Sequence, residues 1–230
     1  MALYDRDYTR TVDNTYAEVA VSSSVAFMKQ TYQLLAASMV AAAAGAFATL
    51  PYAETVMQYR WIIFGFEIFM LFVGLGMTRN KPGLNLIALF VFTFTTGVSL
   101  VPMLAYLIGI GNGAVIGNAF LMTAVLFGAL SLFAINSKTD FSSWGKPLFI
   151  TLIVVIIASL VNAFLLHSPL MHIIMSAGIL LLFGLFTIYD TQNIANGAYD
   201  SPVDAAVSLY LDFLNMFTSL LSLLGIWGDE

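Results

Sequence analysis

Residues 169–227 read PLMHIIMSAGILLLFGLFTIYDTQNIANGAYDSPVDAAVSLYLDFLNMFTSLLSLLGIW. Two apolar runs are separated by turn chemistry at Gly197 to Pro202. Each run is long enough to cross a hydrocarbon core of about 30 Å as a helix. The first opens on Ser168-Pro169, an N-cap followed by proline at the first helical position, and its natural stop is Gly197 as a left-handed cap. The second opens on Ser201-Pro202-Val203-Asp204, which has the form of a capping box with Asp in place of Glu. The stretch therefore predicts a membrane helical hairpin, with one acid inside each arm: Asp190 and Asp212.

The same pattern recurs upstream. Apolar segments predict further spans near Phe27–Leu50, Trp61–Thr78, Leu84–Leu107, Ala114–Ile135 and Pro147–Leu166, so that Pro169–Asn196 and Pro202–Trp227 become spans six and seven. Pro51, Lys81-Pro82-Gly83, Gly109 to Gly113, Ser143 to Pro147 and Ser168-Pro169 punctuate them. Of the 230 residues, 60% are hydrophobic and 9% charged, whereas soluble domains carry about 25% charged residues. One water-soluble core could not hide that much apolar surface. The expected fold is an all-α integral membrane bundle of seven helices. Residues 1–25 form a polar N-terminal tail, and residues 26–230 form the membrane domain.

Composition also removes function classes. The net charge is −5 with only 8 Lys and Arg, which leaves no electrostatic footprint for nucleic acid. The absence of cysteine excludes disulfides, thiolate metal sites and Cys nucleophiles. Two histidines, His167 and His172, leave little room for zinc, and no resident cofactor is expected. No signal peptide is visible, so the first span is expected to act as its own insertion signal.

The basic residues set the expected orientation. Arg6, Arg10 and Lys29 lie at the start, Arg79 and Lys81 after span two, and Lys138 and Lys146 after span four; the opposite side has Arg60. The tail and the even-numbered loops are therefore expected in the cytoplasm, with Asp229-Glu230 outside, in a multi-pass protein of the bacterial inner (plasma) membrane.

Three acids lie within spans: Glu67, Asp190 and Asp212. A carboxylate at mid-bilayer costs about 2.5–3.5 kcal/mol on insertion scales, so it is kept with a partner, a wet cavity or a role. Asp190 precedes Gly197 by seven residues and Asp212 follows Pro202 by ten, which puts them about 10 and about 15 Å from the same side. They can meet. Ser208, Asp212, Asn215, Ser219 and Ser222 are spaced by 4, 3, 4 and 3 residues, one polar stripe along span seven. It faces either a wet path or neighbouring helices through ordinary interhelical hydrogen bonds. Two close carboxylates in low dielectric cannot both ionise cheaply, and they share a proton or bind a hard cation such as Ca²⁺ through oxygen. Arg79 is a candidate latch onto one aspartate, or a positive-inside anchor. Glu67, with Arg60 two turns away, is a candidate pathway residue or a structural hydrogen-bond partner. Pro102 is expected to interrupt span three, and Asn162 reads as a packing group.

Leu185-Phe186-Thr187-Ile188-Tyr189-Asp190-Thr191-Gln192-Asn193-Ile194 resembles the sixth-span motif of the Bax inhibitor family, the transmembrane Bax inhibitor motif family. Ala206-Val207-Ser208-Leu209-Tyr210-Leu211-Asp212-Phe213-Leu214-Asn215 resembles its last-span motif, and Ser222-Leu223-Leu224-Gly225 is similar to the ending of bacterial members. Glu67, Gly97 and Pro102 also sit where the family places them. The resemblance implies a seven-helix bundle with the last helix central. It implies that Asp190 and Asp212 are the family's aspartyl pair, associated with a pH-sensitive calcium leak. The family's latch arginine falls at the end of span two, where this chain has Thr78 and then Arg79. Bacterial branches include YetJ-like calcium leak proteins and YccA-like modulators of a membrane-anchored AAA protease.

Two functions follow as expectations. The first is a pH-sensitive calcium leak channel or exchanger gated by Asp190 and Asp212, with Ser208, Asn215, Ser219, Ser222 and Glu67 as pore-lining candidates. The second is a non-transporting membrane protein that binds and modulates an AAA protease, the tail being its handle. Intramembrane aspartyl proteases also pair two aspartates, but no Gly-x-Gly-Asp phrase surrounds Asp212, and the chain is not read as an enzyme.

Overall fold

The computed structural model describes residues 5–79, 81 and 83–227, with side chains from Ser23 to Gly225. Met1 to Tyr4, Pro82 of the turn after span two, and the C-terminal Asp229-Glu230 lie outside the described residues. The elements are helical throughout: α1 (Asp5–Thr49), α2 (Ala53–Gln58), α3 (Arg60–Phe69), α4 (Leu75–Thr78), α5 (Leu84–Gly109), α6 (Ala114–Asn136), α7 (Gly145–Val161), α8 (Pro169–Ala195) and α9 (Pro202–Trp227). A wide turn over Met70–Gly74 joins α3 to α4, and another over Asn162–Leu166 ends α7. Among the described residues, seven helices are long and apolar enough to cross a membrane. The backbone of residues 5–22, read as tail, continues α1 as helix.

The bundle is apolar on its surface as well as in its core. Phe47, Trp61, Ile62, Phe72, Ile150 and Leu181 are exposed, a surface that lipid solvates and water would not. The last helix is central: 56% of its span is buried, against 11–39% for the other six. It packs on α1, α5, α6 and α8. Leu209, Tyr210, Met216 and Leu221 of α9 are at most 2% exposed.

Lipid contributes no hydrophobic drive between helices, so close backbone approach carries the packing. It is clearest where α1 crosses α5. A Cβ on Gly97 would sit 1.9 Å from the Ala42 carbonyl oxygen, and one on Gly45 would sit 2.1 Å from that of Phe94. Both positions need the missing side chain. Helix α5 runs unbroken through Pro102. Proline there removes one donor without ending the helix.

The caps that anchor the hairpin form largely as their residues dictate. Ser168 Oγ accepts from Met171 N at 3.3 Å. Gly197 has φ +73°. Its N–H donates to Ile194 O and that of Ala198 to Asn193 O, the paired bonds of a Schellman ending. Ser201 Oγ accepts from Val203 N at 3.2 Å. Asp204 does not close the capping box: its carboxylate forms an ion pair with Arg79 instead, Oδ2 lying 2.6 Å from Nε. Asn162 is structural. Its side chain donates to Ser168 O and accepts from Ser168 N, closing the turn between α7 and α8.

Candidate functional site

The site is built where the end of α8 meets the start of α9, and the basic residues Arg79, Lys138 and Lys146 cluster at the same end of the bundle. Asp190 is 7% and Asp212 3% exposed. Their carboxyl groups are direct neighbours, within hydrogen-bonding relation of one another once either carries a proton. Asp212 Oδ2 is buried and no protein donor reaches it. Asp190 Oδ1 takes a hydrogen bond from the Tyr199 hydroxyl at 2.9 Å, and that hydroxyl lies 3.0 Å from Ser208 Oγ. One phenolic proton serves one acceptor at a time. Donating to Asp190 and accepting from Ser208 satisfies all three groups. Burial, followed by the charge of Asp190, pushes the Tyr199 phenol well above its usual range, so it stays a donor.

The rest of the α8 motif holds this corner together. The Thr191 hydroxyl donates to Ser131 Oγ on α6 at 3.3 Å. Gln192 grips the loop after α6 with both ends of its amide: Oε1 accepts from Phe141 N at 2.6 Å, and Nε2 donates to Thr139 O at 2.8 Å. In that loop the Ser142 N–H donates to Asp140 and holds its carboxyl below the usual range. Replacing Gln192 with Ala leaves two backbone groups without partners, which costs about 1–3 kcal/mol each when buried. A fall of several degrees in the Tm of detergent-solubilised Gln192→Ala is expected, and an unchanged Tm would show that water replaces the amide.

The polar stripe on α9 meets α8 and the loop after it at several levels. Ser208 and Asp212 belong to the acid site. Asn215 turns its amide to the Leu211 carbonyl of its own helix at 2.7 Å. Ser219 is buried. Ser222 Oγ lies 2.9 Å from His172 Nε2 and accepts from Ser176 Oγ at 3.2 Å. A cavity of about 390 Å³ lies elsewhere, between α1, α5, α6 and α9, walled by apolar side chains such as Met39, Phe47, Leu104, Phe120 and Phe217.

Arg79 does not reach the aspartate pair. It forms ion pairs with Asp204 and, at 3.7 Å, with Asp200. The expected latch onto Asp190 or Asp212 is thus redirected to acids at the start of α9, since those acids meet the arginine at the surface without drawing its charge into the bundle. Glu67 has a partner after all: the Ser99 hydroxyl of α5 donates to Oε1 at 2.5 Å. Arg60 turns away from it, over the Trp61 ring and toward the Met57 carbonyl. Three residues from Ser99, Thr96 is hydrogen-bonded to the Tyr210 hydroxyl, so α3 and α9 place polar groups against the same stretch of α5.

Sequence reasoning missed Tyr199, Gln192 and Tyr210. Tyr199 had one available signal: an aromatic between Gly197 and Pro202, in a turn otherwise made of small and polar residues.

The chain is 47% identical over 233 residues to an uncharacterized protein of Helicobacter pylori strain J99, covering 100% of this chain and 99% of that one. It is 36% identical over 148 residues to the Modulator of FtsH protease YccA of Escherichia coli K12, covering 64% of this chain and 67% of that one. The same figures hold for the Inner membrane protein YccA of E. coli O6:H1. The family model described as Inhibitor of apoptosis-promoting Bax1 matches residues 24–229, and the chain belongs to that Bax inhibitor family.

Proposed function

We propose that this protein is a calcium leak channel or exchanger of the inner membrane, gated by the Asp190–Asp212 pair and sensitive to pH. The observation that carries the reading is Asp212, whose carboxyl neighbours a second acid and whose Oδ2 is buried with no donor. An acid oxygen held that way wants a proton or a cation. Asp190, Asp212, the Tyr199 hydroxyl and Ser208 offer a hard cation several oxygens, the ligand type Ca²⁺ takes. Among the described residues no cluster of three or more acids or histidines gathers at the pair. Affinity rises with ligand charge, so two carboxylates favour passage over storage. Protons compete for the same oxygens, and cation binding weakens as pH falls. The tail and the basic end are placed in the cytoplasm on the positive-inside rule.

The test is calcium flux in proteoliposomes across a pH series, comparing the parent with Asp190→Asn and Asp212→Asn. The parent responds to pH and the variants lose that response. Variants that leak like the parent at every pH would reject the pair as the gate.

A second reading has its own support. The similarity to a protein named as a modulator of FtsH protease favours docking on a membrane-anchored AAA protease, through the polar segment 1–24. Deleting that segment should abolish modulation of protease turnover and spare ion flux. The reverse outcome rejects the assignment.

A further inference from the structure

The turn between α8 and α9 does more than connect them. Asn196, Gly197, Ala198 and Asp200 are exposed, yet Tyr199 among them is half-buried. It packs against the main apolar core. The Schellman ending at Gly197 folds the chain back over the end of α8. This points the phenol inward, where its hydroxyl reaches Asp190 at 2.9 Å and Ser208 at 3.0 Å. The next residue, Asp200, and the first turn of α9, at Asp204, are both engaged by Arg79 from the end of α4. The side chain of Asp204 is 22% exposed and those of Arg79 and Asp200 are 52% and 93% exposed. The Asp204 contact therefore fixes Arg79 against the start of α9, and the more solvent-screened Asp200 contact ties it to the turn.

We propose that residues 196–201 form a lid over the aspartate pair, in which Tyr199 is the plug and Arg79, paired with Asp200 of the lid and with Asp204 just after it, is the clasp. The inference deepens the cation-pathway reading and rests on it for its consequence, but its geometry stands apart from any ion. A cation moving between the pair and the solvent at this end of the bundle meets the phenol first. The plug is a positioning residue: while closed, its hydroxyl gives one oxygen to the site and occupies the way out. Opening requires one hydrogen bond to Asp190, one to Ser208 and the clasp to break together. Cutting the clasp therefore raises the open population without touching the acids.

The chain has no cysteine, so one introduced thiol reports on the lid without background. Ser208→Cys places that thiol beneath Tyr199. In proteoliposomes it is treated with a charged, membrane-impermeant methanethiosulfonate added to the face bearing Arg79. Labelling is expected to be slow in this background and about fivefold faster with Tyr199→Ala or Arg79→Gln added, as losing one such contact weakens closure by about 1 kcal/mol. Arg79→Lys keeps the charge and should restore much of the slow rate, which a purely packing role would not. Calcium flux measured on Tyr199→Ala and Arg79→Gln, with Ser208 intact, should rise in step. Labelling at the background rate in either variant overturns the role of that residue. The two readings separate cleanly. If Asp190→Asn and Asp212→Asn leak like the parent, the ion function fails while thiol labelling still decides the lid. If those variants stop the flux but both lid variants label slowly, the lid alone fails.

Discussion

Asp212→Asn is expected to abolish pH-dependent calcium flux while leaving the protein as stable as the parent or more so. The two halves of that result have one cause. Asp212 is 3% exposed, faces the Asp190 carboxyl, and leaves Oδ2 without a donor. A buried polar group lacking a partner costs about 1–3 kcal/mol, and more if charged. Asparagine has the same shape, cannot ionise, and can donate to Asp190 from its amide. Removing a buried charge conflict in this way is neutral or stabilising by about 1–2 kcal/mol. The same change removes the anionic oxygen a cation needs and the proton exchange that makes the site respond to pH. Asp190→Asn is expected to act less sharply on stability, because it also disturbs the hydrogen bond from Tyr199. The measurements are flux in proteoliposomes at several pH values and thermal unfolding in detergent. A loss of several degrees in Tm for Asp212→Asn would mark the acid as a structural strut and remove the main support for the proposed function. Residues that cost stability and are kept anyway are the ones function explains.

What the sequence made legible follows from the kind of physics involved. Span positions rest on apolar length, which is a local property, and seven spans emerge close to where the runs of hydrophobic residues put them. Caps rest on local chemistry too, so Ser168 and Gly197 behave as read, while Ser201 caps α9 without the box. The similar depth of Asp190 and Asp212 needed only helix rise and a short turn. Pairings between distant elements were another matter. Arg79 was within reach of several acids, and the choice of Asp204 depends on how far α4 stops short of the bundle interior. Ser99 as the partner of Glu67 depends on the crossing of α3 and α5. Gln192 holding the Thr139–Phe141 loop depends on where a loop more than fifty residues upstream passes α8. None of these distances is encoded by spacing along one helix. The stripe on α9 shows the boundary well: periodicity placed its residues on one face, but not which of them would meet acids, a histidine or their own backbone. One signal was present and unused. Ala41 to Ala44 followed by Gly45 is a run of small residues of the kind that lets helices touch backbone to backbone.

That run sets up the largest expected effect on folding. Gly45 faces Phe94, and Gly97 faces Ala42, so the partners run in opposite order and the two helices cross antiparallel at a single tight point. A methyl on Gly97 would overlap the Ala42 carbonyl carbon at 2.6 Å as well as its oxygen at 1.9 Å. Those atoms are backbone in the middle of α1, and no rotamer change relieves the clash. The helices must part, and α1 and α5 form one of the broadest contacts in the bundle. Overpacking a core costs about 1–3 kcal/mol when side chains can give way; here backbone must move, and Gly97→Ala is expected to cost about 3 kcal/mol or more. Gly128 of α6 supplies the control. Nothing lies within 4 Å of a Cβ built there, and alanine in an open helical position is better than glycine by up to about 1 kcal/mol. Gly128→Ala should therefore unfold at the parent temperature or above it, while Gly97→Ala and Gly45→Ala unfold well below. The double variant Gly45→Ala/Gly97→Ala should cost less than the two single changes added, because once the crossing has opened for one methyl the second finds room. Thermal unfolding of the four detergent-solubilised variants beside the parent decides it. A Gly97→Ala protein with the Tm of Gly128→Ala would mean that α1 and α5 do not meet at this crossing, and full additivity of the two glycine changes would mean that they meet at two independent points.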